Sequence, residues 1–359
     1  MQEKESALFV QPGVKAIHDG MQPTKRRKFV KKKKETLDLD ALAKEVREGS
    51  RLHLAKAITL LESSNLEDKV VGQELLKKLL PFTGNSIRVG ITGVPGAGKS
   101  TFIETFGQML CNQGHKVAVL AIDPSSSVTG GSILGDKTRM EALSREKNAF
   151  IRPSPSAGTL GGVHKKTRET MLLCEAAGYD IILIETVGVG QSETIVRNMV
   201  DFFLLLVLTG AGDELQGMKK GIMELADTIV VHKADGNNIV NAKRTAAEYK
   251  QILHLLQPAT PGWTTRALMA SSYENTGLDK ILETIFEFKQ QAIENGIWNS
   301  RRNKQTTDWF KSMIHDHLID TFYGDPDTKN LVGALEQQIL QGEMTVSQGV
   351  EQLFPKEAE

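Results

Sequence analysis

From residue 36 to about residue 81, apolar side chains recur every three or four positions: Leu39, Leu42 and Val46, then Leu54, Ile58 and Leu61, then Val71, Leu75, Leu76 and Leu79. That spacing lines one face of a helix and predicts three amphipathic helices, the first two separated by Gly49-Ser50. Such helices need a surface to cover. Between about residues 85 and 290 the pattern changes to short β-rich runs at 87–92, 116–122, 149–152, 180–184, 202–208, 228–232 and 267–270. Ile181-Ile182-Leu183-Ile184 is apolar on every residue, as strands buried on both faces are, and such strands belong to parallel sheets covered by helices. Helical stretches at 102–111 and 165–177 fall between the runs. The alternation predicts an α/β fold with a mostly parallel sheet and ligands at the carboxyl ends of its strands. Beyond residue 290 the spacing is helical again. Trp309, Met313, His317 and Leu318 mark one helix, Leu331, Leu335, Ile339 and Leu340 a second, and 345–353 a third.

Charge and composition sharpen this division. The 359 residues are 40% hydrophobic, enough for a sizeable core, and the longest apolar run, 202–208, is far shorter than the roughly 18 residues of a membrane span. No membrane association is expected. Basic and acidic residues balance at 44 each, but residues 25–34 hold eight basic groups and no acid, leaving 36 basic against 44 acidic elsewhere. A nucleic-acid binder spreads basic charge over a folded face, so no nucleic-acid partner is expected and the run reads as a solvated tail. Residues 1–35 are therefore expected to be a disordered basic tail, 36–84 an N-terminal helical segment, 85–290 the α/β domain and 291–359 a C-terminal helical segment. Glu3, Glu5 and Asp19 argue against a mitochondrial presequence, and residues 1–20 lack a secretory pattern. Cys111 and Cys174, the two cysteines, have neither disulfide-framework nor metal-ligand spacing, which fits a reducing, cytoplasmic location.

The chemistry concentrates in the α/β domain. Gly93-Val94-Pro95-Gly96-Ala97-Gly98-Lys99-Ser100 fits the phosphate-loop pattern in full, with a strand-like run before it and a helix-like run from Thr101 after it. The glycines let backbone N–H groups face phosphate oxygens at the positive end of a helix. Lys99 is expected to bridge the terminal phosphates and the Ser100 hydroxyl to ligate Mg²⁺. Glu185, at the end of the run 181–184, stands where nucleotide switches carry their metal-side acid, and Gly188 would offer its N–H to the γ-phosphate. His232-Lys233-Ala234-Asp235 points to guanine, because a carboxylate at Asp235 accepts from both N1–H and the 2-amino group, which adenine lacks. Lys233 would lie along the base, and a backbone N–H from Ser271-Ser272-Tyr273 would meet the guanine O6. Asp123, at a strand tip, and Asp136, in a Gly/Ser-rich stretch, each could hold a metal-bound water or orient the attacking one. An N-cap role before residues 137–143 is an equal alternative for Asp136.

Several long loop sequences are more specific. The stretch Gly93 to Thr101, Asp123-Pro124-Ser125-Ser126, Gly130-Gly131-Ser132-Ile133-Leu134-Gly135-Asp136-Lys137-Thr138-Arg139-Met140, Ile151-Arg152-Pro153-Ser154-Pro155, Gly158-Thr159-Leu160-Gly161-Gly162 and the segment from Glu185 to Glu193 together resemble the MeaB/ArgK/MMAA GTPases. These are G-protein chaperones of adenosylcobalamin-dependent methylmalonyl-CoA mutase. The resemblance runs from about Leu39 to the C-terminal helices. It implies a phosphate-loop GTPase using GTP/GDP and Mg²⁺, a homodimer formed partly through a C-terminal helical arm, and an acyl-CoA mutase partner. By position it implies Lys99, Asp123, Asp136 and Glu185 in phosphate, metal and catalytic roles, with Ser100, Asp123 and Glu185 as the metal set. It also implies Asp235 as the guanine reader. Residues 209–220, with Asp213, Glu214, Gln216 and Lys219, look like the extra switch loop that meets the mutase.

Two departures stand out. His232 occupies a position where nucleotide switches usually carry Asn, and Val189, not Gln, follows Gly188. No arginine finger is assigned from the sequence, although Arg139 and Arg152 are near enough along the chain to consider. Hydrolysis is therefore expected to be slow alone and accelerated by a partner. The alternatives are a metal-insertion GTPase, which would carry His-rich tracts or a cysteine pair, a protein kinase of the ArgK transport type, which needs a second substrate pocket, and a scaffolding dimer with a vestigial site.

Overall fold

A computed structural model describes residues 37–63, 65–123, 140–155, 160–186, 192–210 and 220–354. The basic run 25–34 lies outside them. Residues from Leu39 onward cluster as one unit. Among the described residues, α1 (Leu39–Arg47), α2 (Arg51–Glu62) and α3 (Leu66–Leu79) lead into β1 (Ile87–Gly93), α4 (Lys99–Asn112), β2 (Val117–Asp123) and α5 (Glu141–Arg145). There follow β3 (Ala149–Pro155), α6 (Leu160–Ala176), β4 (Ile181–Thr186), α7 (Ser192–Arg197), β5 (Phe202–Val207), α8 (Lys220–Met223), β6 (Thr228–Val231), α9 (Ile239–Leu253) and β7 (Arg266–Met269). The chain then runs through α10 (Leu278–Glu294), α11 (Ile297–Gly324), α12 (Pro326–Leu340) and α13 (Val346–Leu353).

The seven strands form one sheet in the order β3-β2-β4-β1-β5-β6-β7, and every pairing is parallel. All seven predicted runs are strands. The all-apolar pattern of β4 and β5 is explained by complete burial along both, with helices on each face. Phe102, Phe106 and Leu110 of α4 and Ile281, Ile285 and Phe288 of α10 pack against Val89, Ile91, Leu183 and Leu204 on one face. On the other face, Ala242 and Tyr249 of α9 cover Leu205, Val207, Ile229 and Val231. Full burial of such a side chain contributes about 1.5–3 kcal/mol, so this double cover is the main stabilisation of the sheet.

The N-terminal helices find the surface they need on α6. Arg152 of β3 pairs with Glu62 of α2, and Gln73 Nε2 donates to the buried Glu169 Oε1 at 2.8 Å. Arg152 is thus engaged in holding α2 to the sheet edge and is not presented as a finger. At the other end, α11 runs for 28 residues, about 42 Å at 1.5 Å per residue. Its first turns are anchored at the amino ends of the strands through Arg302, which donates to both Asp201 carboxylate oxygens at 2.8 and 2.6 Å. Further along, α11 exposes Phe310, Ile314, Leu318 and Tyr323. The Asp325 side chain accepts from Thr328 N–H and starts α12, with Pro326 in its first turn, and a Thr345–Gln348 capping box starts α13.

Candidate active site

Because every strand is parallel, the carboxyl ends of β1, β2, β4, β6 and β7 share one edge, and the predicted residues gather there. β1 is central, and the chain leaves it toward β2 on one side and crosses it from β4 to β5 on the other. A crevice at such a reversal is where open α/β sheets bind ligands. Thr186 Oγ1 donates to Thr92 Oγ1 at 2.8 Å, locking the ends of β4 and β1 together directly beneath the loop.

The phosphate loop leaves β1 at Gly93 and enters α4 at Lys99. Gly96 and Gly98 take left-handed φ values of +81° and +85°, which aim successive N–H groups inward and which an L side chain would strain. Lys99 is 7% exposed, and its Nζ donates to the carbonyls of Gly93 at 2.8 Å and Val94 at 3.3 Å. Burial lowers its ammonium from the ordinary lysine value, while the carboxylates of Glu185 and Glu193 pull the other way. The lysine is therefore held on the loop, within reach of the positions its own N–H groups face.

Ser100 Oγ donates to Glu185 Oε1 at 2.9 Å. Glu185, buried at 7% exposure, is the fifth residue of β4 and sits in register with Ile91 of β1 and Ala121 of β2. A hydroxyl and a carboxylate side by side at a helix N-terminus form a hard oxygen pair suited to Mg²⁺, which takes one or two protein ligands plus phosphate oxygens. Asp123 ends β2 one residue beyond Ile122, the partner of Thr186, so its backbone reaches the same edge. Its side chain lies outside the described residues. So do Asp136, Arg139, Gly188, Val189, Asp213, Glu214, Gln216 and Lys219. The described helix that follows begins at Glu141, with Met140 at its N-cap position and no side-chain cap bond, and the cap role considered for Asp136 lies outside the described residues.

The residues expected to read the base lie along the other half of the edge. Lys233 adopts φ +57° just after β6, and its Nζ donates to Gly96 O at 2.9 Å, joining base loop to phosphate loop. Ser271 Oγ donates to Asp235 Oδ2 at 2.6 Å, which braces the carboxylate from one side. The loop carrying Ser271, Ser272 and Tyr273 is closed by the reciprocal bonds of Ser271 and Thr276. Ser272 is buried, whereas the Tyr273 ring is 90% exposed and contributes at most its backbone to a pocket.

Two functional links were not legible as motifs. Asn238 accepts from Thr209 Oγ1 and donates to Lys233 O, both at 2.7 Å, so it ties the start of the loop 209–220 to the base-reading segment. A lone Asn after a turn carries no pattern. His232 is 2% exposed and bonded at both ring nitrogens, to Ala97 O and Ser272 Oγ, each at 2.7 Å. From sequence it registered only as a departure from Asn.

Comparison with known proteins agrees with this geometry. Residues 54–327 match the family model described as methylmalonyl Co-A mutase-associated GTPase MeaB. The GTPase ArgK of Escherichia coli is 48% identical over 282 residues, covering 79% of this chain and 85% of that protein. The mitochondrial methylmalonic aciduria type A homolog of Mus musculus is 44% identical over 331 residues, covering 89% of this chain and 80% of the relative. The crystal structure of a LAO/AO transport system kinase superposes with a TM-score of 0.72 at 37% identity, over 89% of this chain and 98% of that one. With a phosphate-loop sequence, a hydrogen-bonded Ser100–Glu185 pair and a Ser271-braced Asp235 on one sheet edge, and with these relatives, the chain belongs to the MeaB family of GTPases.

Proposed function

We propose that this GTPase is a chaperone that gates adenosylcobalamin loading into an acyl-CoA mutase, with methylmalonyl-CoA mutase the first candidate, and protects that enzyme. The family model's description supports the partner class. The observation that carries the nucleotide chemistry is the Ser100–Glu185 pair at 2.9 Å beside Lys99, on the same rim as the Ser271-braced Asp235.

In this reading the N–H groups from Gly93 to Thr101 and the α4 N-terminus bind the phosphates. Lys99 exchanges its loop carbonyls for the β- and γ-phosphate oxygens. Ser100, Glu185 and Asp123 would hold Mg²⁺, which would supply neutralisation of charge on the phosphate oxygens. Asp235 accepts from guanine N1–H and the 2-amino group, and Ser272 N–H donates to O6. Asp123 or Asp136 orients the attacking water, and Gly188 N–H senses the γ-phosphate. The Val189 side chain has no polar atom with which to position that water, so turnover by the protein alone is slow. The loop 209–220, tied through Thr209 and Asn238 to Lys233, meets the mutase with Asp213, Glu214, Gln216 and Lys219.

The GTPase domain spans 85–290 and is flanked by the helical segments 36–84 and 291–359. The exposed Phe310, Leu318, Leu340 and Phe354 of the latter form the contact of a cytoplasmic homodimer. GTP turnover measured with and without purified methylmalonyl-CoA mutase tests the reading. Strong stimulation, lost on Glu185→Ala, supports it. An unchanged rate removes the partner.

A further inference from the structure

We infer that His232 ties the phosphate loop to the base-reading loop through both ring nitrogens, as a neutral imidazole with its proton on Nδ1. This rests on reading the site as a guanine-nucleotide pocket, and deepens it by naming what keeps the two halves in register.

The tautomer follows from the partners. Ala97 O, a backbone carbonyl, can only accept, so the 2.7 Å contact makes Nδ1 the donor. In the neutral ring Nε2 then has a lone pair, and the 2.7 Å contact to Ser272 Oγ is a hydroxyl donating to it. The ring is clamped on its remaining sides. Gly98 approaches so closely that a Cβ there would stand 3.0 Å from Cε1 and Nδ1, and the Phe102 ring meets it edge-on with centroids 5.7 Å apart. Burial lowers the imidazole from the ordinary histidine value, against the opposing effects of the Ala97 bond and Asp235, with Lys233 adding to the lowering.

The consequence is geometric. Ala97 lies in the loop that binds phosphate, and Ser272 carries the N–H assigned to guanine O6. One imidazole therefore sets the spacing between the phosphate and base contacts, by a route that runs through the Ser272 hydroxyl. His232 is a positioning residue, since both its nitrogens are used by the protein.

Four variants test this by calorimetric GDP binding: Ser272→Ala, His232→Asn, the double variant of those two, and His232→Leu. An Asn amide nitrogen matches Nδ1 and can reach Ala97 O, but has no atom at Nε2, so His232→Asn and Ser272→Ala break the same bond. Each is expected to weaken GDP binding about threefold to tenfold, the worth of one hydrogen bond, and the double variant no further than either alone. His232→Leu fills similar space while leaving Ala97 O and the Ser272 hydroxyl unpaired, and is expected to lose on the order of a hundredfold. A space-filling histidine would instead be rescued by Leu better than by Asn. Losses that multiply in the double variant, or a Leu variant within twofold of the parent, overturn the inference. Imidazole nitrogen NMR of the parent protein gives an independent reading: a proton on Nδ1 with Nε2 bare supports the tie, and the reverse tautomer refutes it. If Leu unfolds the protein, the Asn, Ala and double variants still decide. Failure of the parent to bind GDP at all would remove the guanine reading, an outcome separate from failure of the tie.

Discussion

Replacing Arg302 by Met should loosen the C-terminal arm without touching the nucleotide. Arg302 sits in the second turn of α11 and makes four charge-assisted bonds: to Asp201 Oδ1 and Oδ2 at 2.8 and 2.6 Å, to Gly84 O at 2.6 Å and to Ser86 O at 2.7 Å. The Asp201 side chain is 2% exposed, and after the substitution it would retain its 2.9 Å bond from Arg88 N–H and no neutralising fork. Removing one partner of a buried pair costs about 3–5 kcal/mol, because the other charge remains desolvated. Unfolding entropy near 2.1 cal/mol/K per residue over roughly 320 folded residues is about 0.7 kcal/mol/K, so the expected fall in Tm is about 4–7 °C. Arg302→Lys, keeping charge but losing the planar fork, should fall between. Arg88 and Asp201 lie at the amino ends of β1 and β5, and the six steps from Ile87 to Gly93 put roughly 20 Å between that network and the phosphate loop. GDP affinity at 25 °C should therefore stay within about threefold of the parent. Differential scanning fluorimetry and GDP titration check both halves. A Tm within 1 °C of the parent, or GDP binding lost well below the Tm, would refute the reasoning.

Asp235→Asn reverses the donor and acceptor pattern offered to the base, so GTP affinity should fall about 10²-fold or more while xanthosine triphosphate, with a carbonyl at C2, gains; competition binding of the two nucleotides measures the switch. Acid sensitivity should trace partly to Glu175, whose side chain is wholly buried. Burial pushes its carboxyl up, but Arg88, with hydrogen bonds from Arg88, Ser86 and Gly84 N–H, more than offsets this and holds it below the ordinary value of 4.5. Its contribution is complete above about pH 4.5 and is lost as pH falls through the lower folded value, where the unfolded chain binds more protons. Urea melts between pH 7 and 3 should show a shallower pH slope for Glu175→Gln than for the parent, on a lower plateau; equal slopes would reject the assignment. Phe310→Glu with Leu318→Glu, both more than 60% exposed, should convert the proposed homodimer to a monomer in light scattering while leaving the Tm of the monomer unit nearly unchanged; a parent that already scatters as a monomer would reject the proposed contact.

Periodicity alone carried the secondary structure, because seven strands and the helices between them each bury a face whose spacing is written locally. The phosphate loop was equally legible, since its glycines and Lys99-Ser100 are contiguous and the strand and helix flanking them follow directly. Glu185 and Asp235 were found through strand-end position, which a parallel sheet converts into a common edge. What the sequence could not carry is pairing between distant segments. Nothing local says that Arg152 is held by Glu62, that Asn238 joins Thr209 to Lys233, or that Arg302 seats α11 on Asp201. His232 is the sharpest case: its type read as a deviation from Asn, and only the approach of Ala97 from one side and Ser272 from the other turned it into a bridge. Local elements follow from short-range backbone and burial preferences, whereas the bonds that set the site's spacing depend on which strands become neighbours, and that order, β3-β2-β4-β1-β5-β6-β7, exists only in the assembled sheet.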